Sequence, residues 1–314
     1  MTLDAVYRAL ADHLPGGAVG RDVPVSELTT YRLGGPVAVA VHVTNEPDLA
    51  VVAGVIAAAD PPPPVLVVGR GSNLLVADQG VAGVAVILGG DFEAVTVSPG
   101  TGTVEAGAAA PLPVVARRSA AAGLTGLEFY VGIPGSVGGA VRMNAGGHGR
   151  ETREVLDRAW IVDLLGPDGV AHPRTVADLD LGYRYSSLHP TEVVTRAALR
   201  ATVDTPDACE ARVADVVRWR REHQPGGANA GSVFRNPPGD SAGRLIDAAG
   251  LKGHRVGGAV VSTKHANFFQ AEAGATANDV ARLITVVQDR VEDRTGVRLT
   301  PELQLVGFDE ARRP

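Results

Sequence analysis

The sequence predicts a chain of the α+β class, strand-rich to about residue 200 and followed by a smaller unit that mixes helices with strands. Three observations carry this expectation. Short β-branched runs bounded by Gly, Pro or Asp dominate the first part, helical spacing of apolar residues sets in near residue 204, and two glycine-rich stretches break up the strands. At 314 residues the chain exceeds one typical domain, so more than one is expected.

Taken in order, "MTLDAVYRALADHL" reads as an amphipathic helix, because an early acid and a lone Arg8 leave it without the charge and apolar core of an export signal. The runs at 37–43, 65–68, 84–88, 94–98 and 103–107 read as strands. Helices are expected at 47–59 and 112–122. "LLGPDGVA" at 164–171 reads as a hairpin, its Pro-Asp-Gly supplying the turn, and 192–203 as a further strand. Thr205 before Pro206 starts a helix carrying Cys209, Val213, Val216 and Val217 on one face, which ends before Pro225. Thr276 with Asp279 resembles a capping box for a second helix, striped by Val280, Leu283, Ile284, Val287 and Val291 and stopped by Gly296. "LTPELQLVG" at 299–307 is a short apolar strand led by Glu302.

A net charge of −6 argues against a general grip on nucleic acid, and "RWRRE" at 218–222 reads as a solvated helix face. The single Cys209 excludes an internal disulfide framework and a cysteine zinc site, and the eight histidines lack ligand spacing, so no metal is expected. No run approaches the roughly 20 apolar residues of a membrane span. A cytoplasmic protein is the expectation.

The chain has no P-loop and no G-x-G-x-x-G opening a helix. What remains is "VVGRGSNLLV" (67–76) and "VGIPGSVGGAVRMNAGGHG" (131–149), whose glycines could let backbone amides converge on an anion or could be plain tight turns. Two such loops with small hydroxyl and amide side chains favour a dinucleotide. Arg184 in "LGYRYSS" could clamp a carboxylate or pack as an edge-strand arginine. Ser232 in "AGSVFRNPPGD" could be a turn hydroxyl and no more.

Seven stretches in order make the chain resemble the family of UDP-N-acetylenolpyruvoylglucosamine reductases. They are "TTYRLGG" (29–35), "VVGRGSNLLV", "GLEFYVGIPGSVGGAVRMNAGGHG" (126–149), "LGYRYS", "AGSVFRNP" (230–237), "VSTKHANF" (261–268) and "PELQLVG". The resemblance spans roughly residues 25–308 and belongs to the subclass without an inserted tyrosine-bearing loop. It implies a two-part FAD-binding region of the vanillyl-alcohol-oxidase type at 1–203, split near 64. A substrate-binding α+β domain at 204–300 would follow, and a segment 301–314 would return Glu302 to the active site.

The resemblance assigns Ser232, Arg184 and Glu302 to catalysis and Tyr183 and Asn236 to the substrate. It assigns Gly69, Gly71, Ser72, Asn73, Gly132, Pro134, Gly135, Ser136, Gly138, Gly139 and Asn144 to non-covalently bound FAD. NADPH would supply the hydride and UDP-N-acetylglucosamine enolpyruvate would receive it, in peptidoglycan precursor synthesis. Two departures stand out: His223 where many members carry lysine, and Gln304 at a position that is often basic. Another oxidase of the same fold would have no evident need for Ser232 or Glu302. A non-catalytic nucleotide-binding protein would fit the glycine loops but leave all three catalytic positions without a reason.

Overall fold

The structure is a computed structural model that describes residues 1–308; the end of the expected segment 301–314, residues 309–314, lies outside the described residues. Packing divides the chain into two compact units. Unit 1 comprises residues 1–22, 38–70 and 82–220, and unit 2 comprises 23–37, 71–81 and 221 onward.

Unit 1 opens with helix α1 (Leu3–His13), capped by the Thr2 hydroxyl, and helix α2 (Glu46–Ala57), capped by Asn45 with Pro47 in its first turn. Both lay their apolar stripes on a four-stranded sheet in the order Val19–Pro24, Pro36–Val43, Val81–Leu88, Val65–Val68. Val6, Leu10, Val41, Val52, Ile56 and Val86 meet in one core there. A subdomain cut near residue 64 would pass through this sheet, because Pro36–Val43, before the cut, is the hydrogen-bonded neighbour of Val81–Leu88, after it. The core that follows begins only at Val104.

That second core lies on an antiparallel sheet in the order His172–Thr175, Leu156–Asp163, Glu192–Arg200, Thr103–Gly107, Val95–Ser98. The hairpin expected at 164–171 joins its first two strands, with Ile161 opposite His172. Helix α3 (Leu112–Ala121) buries Leu112, Val115, Ala116 and Ala120 in this core. The stretch expected as a glycine loop holds helix α4 (Val137–Met143), capped by Ser136 and closed by Asn144 in the left-handed conformation (φ 40°). Glycine disfavours helix by about 1 kcal/mol. At Gly138 the missing Cβ is what lets α4 approach the sheet, since one would lie 3.0 Å from the Cβ of Ala108. The short helix α5 (Thr152–Val155) follows. Helix α6 (Pro206–His223) sends Cys209 and Val213 into the same core, so its first turns pack with unit 1 although the composition changes at 204.

Unit 2 is built on helices α7 (Ala242–Ala248) and α8 (Ala277–Thr295). The capping box of Thr276 and Asp279 forms, and Gly296 takes φ 72° as the stop. Val280, Leu283, Ile284, Val287 and Val291 are each fully buried, which stabilises by roughly 1.5–3 kcal/mol per side chain. They pack with Tyr31, Leu75, Phe234 and Phe269. Asp78 accepts the first amides of α8, Ala277 N at 2.8 Å and Asn278 N at 2.9 Å, tying the segment 71–81 to that helix. The C-terminal strand Gln304–Val306 pairs in parallel with Leu74–Val76. No helix among the described residues is long and apolar enough to cross a membrane.

Candidate active site

In unit 2 the residues after Ser232 form a strip with partners on both sides. Gly231, at φ 75°, makes the turn that an L-residue would resist, and its amide donates to Asn229 Oδ1 at 3.0 Å. On one side Ser232 faces Phe268 in an antiparallel bridge, and Val233 N donates to the Asn267 carbonyl at 2.9 Å. On the other side the Val233 carbonyl accepts Glu302 N at 2.7 Å and Leu303 N at 3.3 Å. Ser232 and Glu302 therefore hang on adjacent backbone, 70 positions apart in sequence. Asn73 adds a further tie, its Nδ2 donating to the Glu302 carbonyl at 3.2 Å while its own carbonyl accepts Gln304 N at 3.0 Å. The carboxamide expected at FAD thus bonds the backbone of the expected catalytic glutamate.

Beside Ser232 lies a cavity of about 440 Å³, lined also by Asn236, Arg244, Lys252, Lys264 and His265. Asn236 Oδ1 accepts the Ala242 amide at 3.0 Å, the first of α7, beside the N-cap Ser241. Arg244 is paired with Asp240, and Lys252 with Asp247 at 2.7 Å. Burial, reinforced by the nearby charges of Lys252 and His223, holds the His265 ring below its ordinary pKa. The ring nitrogen Nδ1 accepts the Asn267 amide at 3.3 Å. Sequence reasoning missed Arg244, Lys252 and His265; "VSTKHANF" served only as a family marker, and nothing local says that its Lys264 and His265 share a wall with Ser232.

In unit 1, Arg184 occupies a four-residue turn in which Gly182 and Tyr185 exchange backbone hydrogen bonds at 3.1 and 3.2 Å. Its backbone is left-handed, at φ 55°, a conformation uncommon outside glycine. The guanidinium lies 5.1 Å from the ring of the half-exposed Tyr183 and donates to the Gly146 carbonyl at 3.2 Å. Asn144 anchors this turn. It is fully buried, its Nδ2 donates to the Gly182 carbonyl at 2.9 Å and to Glu151 Oε2 at 3.0 Å, and its Oδ1 accepts Arg153 N at 2.9 Å. With both ends of its carboxamide engaged, Asn144 holds the Arg184 turn.

Of the remaining glycine-loop residues, Gly69 comes against Ser136, where an added Cβ would sit 2.5 Å from the serine hydroxyl. The two loops therefore meet there, the Gly69 backbone against the Ser136 side chain. Gly71, at φ 58°, is so close to the Leu28 carbonyl that no Cβ fits, and Ser72 is half-buried beside it. Gly132 packs under His148 and Val216; Pro134 is exposed; the Gly135 carbonyl accepts Leu112 N at 3.0 Å. The amides of Val137, Gly138 and Gly139 are engaged by Ala110 O, Ala108 O and Ser136 Oγ. The start of α4 is thus satisfied internally. The loops still fit a dinucleotide in their chemistry: neither 69–73 nor 132–139 contains a carboxylate, Arg70 adds a cation, and their glycines leave backbone free of side chains. Among the described residues no group of three or more His, Cys, Asp or Glu side chains gathers as a metal site would require.

Residues 37–170 match the FAD binding domain family, and residues 223–306 match the UDP-N-acetylenolpyruvoylglucosamine reductase C-terminal domain. The UDP-N-acetylenolpyruvoylglucosamine reductase of Acidiphilium cryptum is 47% identical over 293 residues, covering 93% of this chain and 92% of that protein. The reductase of Rubrobacter xylanophilus is 42% identical over 288 residues, covering 91% and 94%. The crystal structure of UDP-N-acetylenolpyruvylglucosamine reductase from Thermus caldophilus superposes with a TM-score of 0.78 at 38% identity, covering 92% of this chain and 98% of that one. The fold is accordingly an FAD-binding domain followed by the reductase C-terminal domain. With identity of this order sustained over nine-tenths of its length, this chain belongs to the family of UDP-N-acetylenolpyruvoylglucosamine reductases.

Proposed function

We propose that the chain reduces UDP-N-acetylglucosamine enolpyruvate to UDP-N-acetylmuramate with NADPH, through non-covalent FAD, as a cytoplasmic step of peptidoglycan precursor synthesis. The observation that supports the residue roles most is the shared strip, in which the Val233 carbonyl receives the Glu302 amide. Residues 1–203 would serve the cofactor and 204–300 the substrate, with Gly69, Gly71, Ser72, Asn73, Gly132, Pro134, Gly135, Ser136, Gly138, Gly139 and Asn144 around FAD. Held by those residues, FAD would supply hydride-transfer chemistry between NADPH and the terminal vinyl carbon.

The chain's own work is then to meet charge and place a proton. Hydride addition at the terminal carbon pushes the C=C electron pair onto the carbon bearing the carboxylate, making an enolate. Arg184 offers a permanent cation, already oriented by Gly146 and Tyr183, against that charge. Glu302 acts in its neutral form as a hydrogen-bond donor, because an ionised carboxylate would repel a dianion. Ser232 gives its hydroxyl proton to the enolate carbon and recovers one from solvent. Lys252, Lys264 and Arg244, in the cavity beside Ser232, suit a substrate diphosphate, and Asn236 and Tyr183 would complete the substrate contacts.

The test separates the half-reactions in Ser232→Ala under anaerobic stopped flow. Flavin bleaching by NADPH should keep its rate, while reoxidation by the enolpyruvyl nucleotide should slow roughly 10²–10⁴-fold, the usual contribution of a positioned acid. Full turnover would leave Ser232 a turn residue and move the proton to another donor.

A further inference from the structure

We propose that Asn267 is a positioning residue for proton delivery, acting through the backbone of Val233 and Phe234; this rests on the assignment of Ser232 and Glu302 above. Asn267 is 3% exposed, and its carboxamide brackets a single residue of the strip. Its Oδ1 accepts Phe234 N at 3.0 Å, and its Nδ2 donates to the Phe234 carbonyl at 2.8 Å. With the Asn267 carbonyl taking Val233 N at 2.9 Å, one residue supplies three hydrogen bonds to the two positions after Ser232.

The reason lies in the neighbouring chain. Phe268 N turns back onto the His265 carbonyl at 3.0 Å, so the backbone that faces Ser232 at Phe268 is in a turn, and not a strand, over the residues just before it, where Val233 and Phe234 run past. The Asn267 carboxamide presents a donor and an acceptor in a plane, as a peptide group would, and takes the place of the missing strand neighbour. Across the strip, Val233 O carries Glu302 N and Leu303 N, and Arg235 N bonds the Thr300 carbonyl at 2.9 Å. Asn267 therefore sets the register of a strip that carries Ser232 at its head and Glu302 along its far edge. Packing does not replace this. Phe234 sits edge-on to Phe269 at 5.9 Å, a contact that tolerates sliding along the strip, whereas the paired hydrogen bonds do not.

The strip stays folded through its bonds to Thr300, Glu302 and Leu303 when the carboxamide is removed, but its position becomes loose on the scale of an ångström. Misplacement of that size costs on the order of 10²-fold in rate. The experiment compares Asn267→Ala, Asn267→Asp, Ser232→Ala and the double variant Ser232→Ala/Asn267→Ala as FAD-loaded proteins. Measured are the rate of each half-reaction, the configuration of the new lactyl centre in product formed in deuterated water, and amide exchange over residues 233–234 by mass spectrometry.

Asn267→Ala should speed exchange at 233–234, slow reoxidation by substrate on the order of 10²-fold, and leave flavin reduction by NADPH within about twofold. It should also yield a measurable share of product with the opposite configuration, because water then protonates the enolate from either face. In the Ser232→Ala background the same change should cost less than about threefold more, since both act on one step. Equal slowing of both half-reactions, or the full loss repeated in the Ser232→Ala background, would overturn the proposal. A slow Ser232→Ala beside an unimpaired Asn267→Ala would sink the positioning role alone, whereas an unimpaired Ser232→Ala would sink the catalytic reading and this inference with it. Asn267→Asp keeps the acceptor and loses the donor, so it should show the same pattern if Asn267→Ala does not accumulate as holoprotein. Failure of both to fold would make the carboxamide a folding element and refute the proposal.

Discussion

Replacing Asn144 by alanine removes the donor to the Gly182 carbonyl, the acceptor for Arg153 N and the donor to Glu151, and puts a Cβ-bearing residue at φ 40° without a local polar partner. Glu151 keeps Arg153 at 2.9 Å, so the two neutral backbone groups dominate the loss. At about 1 kcal/mol for each, with about 1 kcal/mol more for alanine in the left-handed region, Asn144→Ala should cost about 3 kcal/mol. Asn144→Gly loses the same bonds but tolerates the backbone, so it should cost about 2 kcal/mol. Both tryptophans, Trp160 and Trp219, lie in unit 1, so urea unfolding followed by tryptophan fluorescence reports the unit that contains Asn144. Because the lost bond to Gly182 also loosens the Arg184 turn, the KM for the enolpyruvyl nucleotide should rise in both variants. A loss below 1 kcal/mol for alanine, or glycine no better than alanine, would refute the account of Asn144 as a bonded left-handed cap.

Other perturbations probe unit 2. Tyr31 is 1% exposed and its hydroxyl has no hydrogen-bond partner among the described residues, while burial pushes its pKa up. Tyr31→Phe should therefore stabilise the protein by about 1 kcal/mol, read as a higher urea midpoint by circular dichroism; a loss instead would show that the hydroxyl is bonded. The His265 ring, held below its ordinary 6.5 mainly by burial, binds a proton in the unfolded chain before it does in the folded one. Stability should accordingly fall as pH drops below about 6.5 and level off below the folded value, and His265→Gln should flatten that fall. Nitrogen-detected titration of the ring checks the sign, and a folded pKa at or above 6.5 would contradict it.

Much of this molecule was readable from local pattern. The stripe from Val280 to Val291, its capping box and its glycine stop describe α8 because each signal acts within one or two turns. The same holds for the hairpin and for the strand Thr103–Gly107. Helix α4 was not readable, since two glycines hide it locally and only the contact of Gly138 with Ala108 gives one of them a reason. Nor was the passage of 23–37 and 71–81 into unit 2, where Asp78 caps a helix 199 residues away.

The clearest division lies in three asparagines. Sequence determined that Asn73, Asn144 and Asn267 stand in stretches that mark the family, and it named Ser232, Arg184 and Glu302 beside them. Tertiary structure decided what each carboxamide bonds: the carbonyl of Glu302, the turn before Arg184, and the strip after Ser232. A carboxamide carries the same donors and acceptor wherever it occurs. Which backbone group it satisfies depends on which one the folded chain leaves without a neighbour, and that is settled only when segments 229, 38 and 33 residues apart are packed together.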